Sequence, residues 1–317
     1  MKIVNRVAVY AALCLFAFSA ALPAGVLAQK TTRGNYQEMI SAYNKGELGK
    51  AFDIGFSFFH GISGAPQDFA KSREWFSKAA AGGNTAAMVK LGDIYSDSYG
   101  VKKNLPQAFK WYSLAAEKGD AEGQEKLGDM YYNGEAVKVS KLDAAKWYAK
   151  AAEKSSDYSP SSKLGRMYLL GDGIKKDPAG AMKWMLKSDE LGDAGAAVDI
   201  AGLYSAGAGV KRSYSKAAEW LVKGANQGDT IAMRRLAEAY FAGEGIRKSK
   251  VEAYKWLSVV TAKETNPAAE TLIKRVAASM SRSEMEEAKM QAPGLVKKFV
   301  TREDVEKKAY LKTIKGI

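Results

Sequence analysis

Six tryptophans recur along this chain at near-constant spacing: Trp75, Trp111, Trp147, Trp184, Trp220 and Trp256. The intervals are 36, 36, 37, 36 and 36 residues. Self-similarity at a fixed period of roughly 20–50 residues marks a repeat array. Each unit of such an array buries its apolar face only against its neighbours. The spacing therefore dictates a stack of similar units, and it argues against a one-pocket enzyme.

The residues around each tryptophan follow a common frame. Seven positions earlier stand Asp68, Asn104, Ser140, Asp177, Ser213 and Ser249. Side chains of these types accept hydrogen bonds from the free N–H groups of a first helical turn, so a helix is expected to start there and carry the tryptophan. Pro178 suits the first helical position, and Gln107 and Glu252 stand where they could complete capping boxes. Alanine pairs follow the first three tryptophans, at Ala79-Ala80, Ala115-Ala116 and Ala151-Ala152. Then Gly82-Gly83-Asn84, Gly119-Asp120, Gly192-Asp193 and Gly228-Asp229 read as the stop of one helix and the cap of the next.

That next helix carries Leu-Gly-x-x-Tyr, at Leu91-Gly92-Asp93-Ile94-Tyr95, Leu127-Gly128-Asp129-Met130-Tyr131 and Leu164-Gly165-Arg166-Met167-Tyr168. Looser copies are Ile200-Ala201-Gly202-Leu203-Tyr204 and Leu236-Ala237-Glu238-Ala239-Tyr240. Leu and Tyr, four apart, share a helix face. A glycine costs roughly 1 kcal/mol of helix propensity relative to alanine, so its presence predicts a close neighbour. Loops with two glycines follow, at Gly171–Ile174, Gly207–Val210 and Gly243–Ile246. They come after helices and lack a correctly spaced third glycine, unlike a dinucleotide fingerprint.

The combined frame, A-x-x-x-L-G-x-x-Y-x-x-G-x-G-V, a capped helix, then A-x-x-W-x-x-x-A-A-x-x-G-D, resembles the Sel-1-like repeats, relatives of tetratricopeptide repeats with a longer unit. The resemblance implies an all-α fold, a right-handed α-solenoid of helix-turn-helix repeats with N- and C-terminal capping helices. It also implies a non-catalytic scaffold for protein partners. Exported bacterial members include regulators of signalling or polysaccharide production. The expected organisation is a signal peptide over 1–28, an N-terminal segment over 29–45 with a helix near Tyr36–Asn44, six repeats over 46–263, and capping helices with a basic tail over 264–317. The first repeat reads as degenerate, with Phe56, Phe58 and Phe59 near the Leu-Gly-x-x-Tyr position. The extra residue falls in Ser155–Pro160. Helices are expected near Ala268–Met280, Ser283–Met290 and Arg302–Leu311, the last capped by Thr301 and Asp304.

Export is read from the first residues. Lys2 and Arg6 precede an uncharged apolar run from Val7 to Ala21, and Val26-Leu27-Ala28 offers a small-x-small cleavage site. Pro23 and Gly25 interrupt the run, which favours cleavage over a membrane anchor. The only cysteine, Cys14, lies within this segment, so a processed chain would have neither disulfide nor thiol nucleophile. The expected location is the periplasm, or outside the cell. The formal charge of +13 favours anionic partners. Export makes nucleic acid the least suitable of these.

Catalysis finds little to use. His60 is the only histidine, and Ser213-x-x-Lys216 places its serine at a helix cap without a companion Lys-Thr-Gly. No cofactor or metal is expected. Two surface features repeat instead. Basic residues precede the caps at Lys102, Lys103, Lys138, Lys175, Lys176, Lys211, Arg212, Arg247 and Lys248, predicting a ridge for an anionic polymer or a membrane surface. By resemblance to tetratricopeptide grooves, the inner face would present Asp93, Asp97, Glu122, Glu125, Asp129, Tyr132, Arg166, Arg234, Glu238 and Phe241 to a protein partner. The expected partner is a cell-envelope protein, such as the sensor domain of a membrane kinase or an envelope-biogenesis enzyme; a hydrolase is the distant alternative.

Overall fold

The computed structural model describes residues 35–315, with side chains through Leu311. The expected export signal lies outside the described residues. Among them are sixteen α-helices and no strand. In chain order they are α1 (Tyr36–Asn44), α2 (Lys50–His60), α3 (Phe69–Ala81), α4 (Thr85–Ser96), α5 (Leu105–Glu117), α6 (Ala121–Asn133), α7 (Lys141–Lys154) and α8 (Ser159–Leu170). They continue as α9 (Pro178–Glu190), α10 (Ala196–Ala206), α11 (Tyr214–Asn226), α12 (Thr230–Ala242), α13 (Lys250–Lys263), α14 (Pro267–Ala278), α15 (Arg282–Phe299) and α16 (Arg302–Lys315). The chain forms two compact units that divide after Lys126, within α6. No described helix is long and apolar enough to cross a membrane.

All six cap residues accept a backbone N–H from the first turn of their helices. The capping boxes expected of Gln107 and Glu252 do not form. The cap N–H they would need is already donated to a tyrosine carbonyl of the preceding helix, Asn104 to Tyr95 at 2.8 Å and Ser249 to Tyr240 at 2.9 Å. The same bond joins Ser140 to Tyr131, Asp177 to Tyr168 and Ser213 to Tyr204. It closes each glycine loop, and Glu252 pairs with Lys255 instead.

The core repeats one motif in both units. The residue after each tryptophan drives into the small residue of the Leu-Gly pair. In the first unit a β-carbon on Gly55 would lie 2.7 Å from Phe76 Cδ1, and one on Gly92 2.6 Å from Tyr112 Cδ1. In the second, Gly128 meets Tyr148 and Gly165 meets Met185 in the same way. Where alanine replaces glycine, at Ala201 and Ala237, the shorter Leu221 and Leu257 fill the shared cluster. Side-chain size is thus matched across the helix pair, as close packing demands.

The tryptophans, core by residue type, divide: Trp75, Trp184 and Trp256 are buried and Trp111, Trp147 and Trp220 half-exposed, whereas the residues after them, Phe76, Tyr112, Tyr148, Met185, Leu221 and Leu257, are all buried. Lysine ammonium groups lie over several indoles, Lys150 over Trp147 and Lys223 over Trp220 among them. The first repeat is also less degenerate than it reads, because Ile54-Gly55-x-x-Phe58 supplies its Leu-Gly-x-x-Tyr. Its loop is one residue longer, and Asp68 N–H bonds Phe58 O.

The carboxyl-terminal helices start close to where they were expected, but α15 runs on to Phe299 through Pro293. Ala288 and Ala292 are buried, and Phe299 lies against Trp256 with ring centroids 5.8 Å apart. This helix covers α13 and closes the apolar end of the array. Thr301 and Asp304 bond each other's backbone N–H groups at the start of α16, as expected.

Candidate functional site

The ten inner-face residues divide between the units. Asp93, Asp97, Glu122 and Glu125 belong to the first, on α4 and α6 or just after α4. Asp93 accepts from Lys90 at 2.8 Å and from the Tyr112 hydroxyl at 2.9 Å. Burial of the phenol, reinforced by Asp93, raises the Tyr112 pKa, so it stays a donor. Glu122 also reaches Lys90, at 3.4 Å. Burial opposes the Lys90 charge, but Asp93 and Glu122 outweigh it and hold its pKa above the ordinary value. Asp97 accepts from Ser96 Oγ.

In the second unit, Asp129, Tyr132 and Arg166 line one cleft of about 390 Å³, together with Tyr148, Lys163, Leu170 and Asp172. Lys163 grips both Asp129 oxygens, at 2.7 and 2.9 Å, and Tyr148 donates to the same carboxylate at 2.7 Å. Tyr132 donates to Asp172 at 2.6 Å, and Lys141 pairs with Asp172. The hydrogen bonds from Lys141 and Tyr132 hold the Asp172 carboxyl below the usual range. Arg166 pairs with Asp199 of the next repeat at 3.2 Å. Glu238 and Phe241 line a second cleft of about 380 Å³, walled by Tyr214, Arg235, Glu244 and Arg275 over a floor of alanines. Arg234 lies outside the lining and pairs with Glu238 on its own helix.

Sequence reasoning found the residues of both clefts in part and missed Lys163, Asp172, Arg235 and Arg275. The signal was available. Lys163 and Arg235 stand at one repeat position, three before Arg166 and Glu238, from which a side chain can reach the preceding repeat, as Lys163 reaches Asp129.

The basic residues before the caps are all exposed, and none makes an ion pair among the described residues. Their loops stack by glycine contact. A β-carbon on Gly209 would lie 2.7 Å from Ala179 N, and one on Gly245 would lie 2.7 Å from Ser215 N. The loops at Gly209 and Gly245 thus sit on the first turn of the preceding tryptophan-bearing helix, directly after that repeat's basic pair. The second cation of each pair lays its stem on the loop's first glycine, as Lys176 on Gly171, Arg212 on Gly207 and Lys248 on Gly243. Lys102 and Lys103 hold the equivalent place in the first unit, where Gly100 contacts Phe69.

A family model of the Sel1 repeat matches residues 51–84, 85–120, 121–156, 162–193, 194–229 and 230–258. Among solved structures, the chain is similar to c5321, a protective antigen of uropathogenic Escherichia coli strains displaying an SLR fold. There the TM-score is 0.74 and the identity 26%, over 87% of this chain and 59% of that one. The chain therefore spans less than two thirds of that antigen's length. A Sel1 repeat protein from Oxalobacter formigenes is similar over 72% of this chain and 99% of its own, with TM-score 0.58 and 28% identity. No curated protein matched the sequence. Six consecutive repeats of the matched model, folded as helix-turn-helix pairs like those of solved Sel1 proteins, make this chain a member of the Sel1-repeat family.

Proposed function

We propose that this protein is an exported, non-catalytic scaffold that binds a protein partner in the bacterial cell envelope, through the face carrying the residues after Leu-Gly. The observation that carries this reading is the immobilised polar surface of that face. In the second unit Asp129, Tyr132, Arg166 and Glu238 are each held by a neighbour, and in the first unit Asp93 is held by Lys90. Such a surface offers fixed charges and clefts of ligand size at little ordering cost, which favours recognition of a shaped partner. Sel1 repeats serve as protein-interaction scaffolds, which supports the same reading. The test is affinity purification from envelope fractions of the source bacterium. The expected result is one stoichiometric protein retained at ~0.5 M salt, where exposed ion pairs are screened. Retention of no protein under gentle and stringent washes alike would rule the reading out.

A second reading rests on the stacked loops. Lys175, Lys176, Lys211 and Arg212 form a run of unpaired exposed cations, suited to an anionic glycan or a membrane surface. Changing all four to Glu should abolish binding to a polyuronate gel or to anionic phospholipid vesicles. Binding of the wild type should also weaken steeply with salt. Unchanged, salt-insensitive binding would remove this reading.

A further inference from the structure

In the second unit, neighbouring repeats are tied by one recurring ion pair. The residue after Leu-Gly meets the residue three positions before the corresponding site in the next repeat. Asp129 meets Lys163, and Arg166 meets Asp199 with the charges exchanged. The third rung breaks the series. Its first position is Gly202, and its second is Arg235. A β-carbon on Gly202 would have Arg235 Nη1, 4.0 Å away, as its only close neighbour, so the guanidinium faces the spot where a side chain is missing. Arg235 is exposed and makes no ion pair among the described residues.

Arg235 lines the cleft between α10, α11 and α12 together with Arg275, whose guanidinium stacks over Phe241 at 5.4 Å from the ring centroid. Arg275 likewise makes no ion pair among the described residues. The carboxylates at this cleft are Glu238, already paired with Arg234, and Glu244. Two cations therefore face one uncommitted carboxylate. The walls are aromatic at Tyr214 and Phe241, and the alanine floor keeps the cleft open.

We infer that this cleft binds an Asp or Glu side chain of the protein partner, whose carboxylate completes the rung that Gly202 leaves empty. The fork of a guanidinium matches a carboxylate in two parallel hydrogen bonds, and a second, weakly hydrated guanidinium stacked on an aromatic ring adds positive charge beside it. The earlier rungs show the same chemistry made within the chain. This inference rests on the scaffold reading and names the chemistry of one contact in it.

The test uses end-capped tetraglutamate as probe and tetraglutamine as control. The Nε–Hε signals of Arg235 and Arg275 are followed by NMR in the full-length processed protein at ~0.15 M salt. Tetraglutamate should shift both signals saturably, and tetraglutamine should shift neither. Arg235→Gln should weaken tetraglutamate binding at least tenfold. Gly202→Asp should install the missing carboxylate inside the chain, abolish binding and leave the melting temperature undiminished. No shift with tetraglutamate, or equal affinity in the Gly202→Asp protein, would overturn the inference. The two readings fail separately: if Gly202→Asp retains the envelope partner with unchanged affinity, this inference is overturned and the scaffold reading stands, whereas retention of no partner by the wild type overturns the scaffold reading itself.

Discussion

The ring of Tyr112 packs on the bare Cα of Gly92, and its hydroxyl bonds the very next residue, Asp93. One side chain therefore sets both the spacing of α4 and α5 and the position of a surface carboxylate. Gly92→Ala inserts a methyl group into a buried ring. Overpacking costs ~1–3 kcal/mol, and better helix propensity returns roughly 1. A net loss of about 1–2 kcal/mol is expected from urea denaturation. Tyr112→Leu in the Gly92→Ala background should recover part of it, as Ala201 with Leu221 already illustrates. Strictly additive losses would show that this contact does not set the helix spacing.

The stacked loops make opposite predictions at two positions. Gly245 has φ +68 and its α-carbon abuts the backbone of Tyr214 and Ser215. Gly245→Ala should cost at least ~2 kcal/mol, from the left-handed backbone and the clash together. Ala136 has φ +62 without being glycine. Ala136→Gly should therefore raise the melting temperature by a few degrees. Thermal melts that fall for both variants would contradict this account of the loops.

Acid sensitivity follows from the paired carboxylates. Asp172 is held below its ordinary pKa by Lys141 and Tyr132, and Asp143 by Lys146 and Ser140. A depressed folded-state pKa gives stability that is present above the unfolded value, about 4, and lost as pH falls through the folded one. The urea midpoint should drop between pH 7 and pH 3, and Asp172→Asn should drop less. Lys90 works on the alkaline side. Its raised pKa gives stability that is present below the ordinary 10.5 and lost as pH rises beyond it. Lys90→Met should flatten the alkaline limb.

Much of the fold was legible because each repeat signal has a local cause. Asp177 caps its own helix, and Gly192 and Gly228 stop theirs with positive φ. What stayed hidden depends on partners distant in sequence. Trp147 looks like core by residue type, yet Tyr148 takes the buried place, because Gly128 on the preceding helix makes room for it. The failed capping box at Ser249 turns on Tyr240 claiming its N–H. At the site, Asp129 and Arg166 were visible as exposed-register residues. Their partners Lys163 and Asp199 emerge only when one repeat is laid against the next.

The central claim is that a protein partner docks on the face carrying the residues after Leu-Gly. Photo-crosslinking tests it directly, with benzoylphenylalanine placed singly at Tyr132, Arg166 and Glu238, and at the exposed Lys146, Lys183 and Glu219 as controls. In envelope fractions the first three positions should each give the same discrete adduct with one protein, and the three controls none. Adducts from the controls alone, or no adduct at any of the six, would contradict the account.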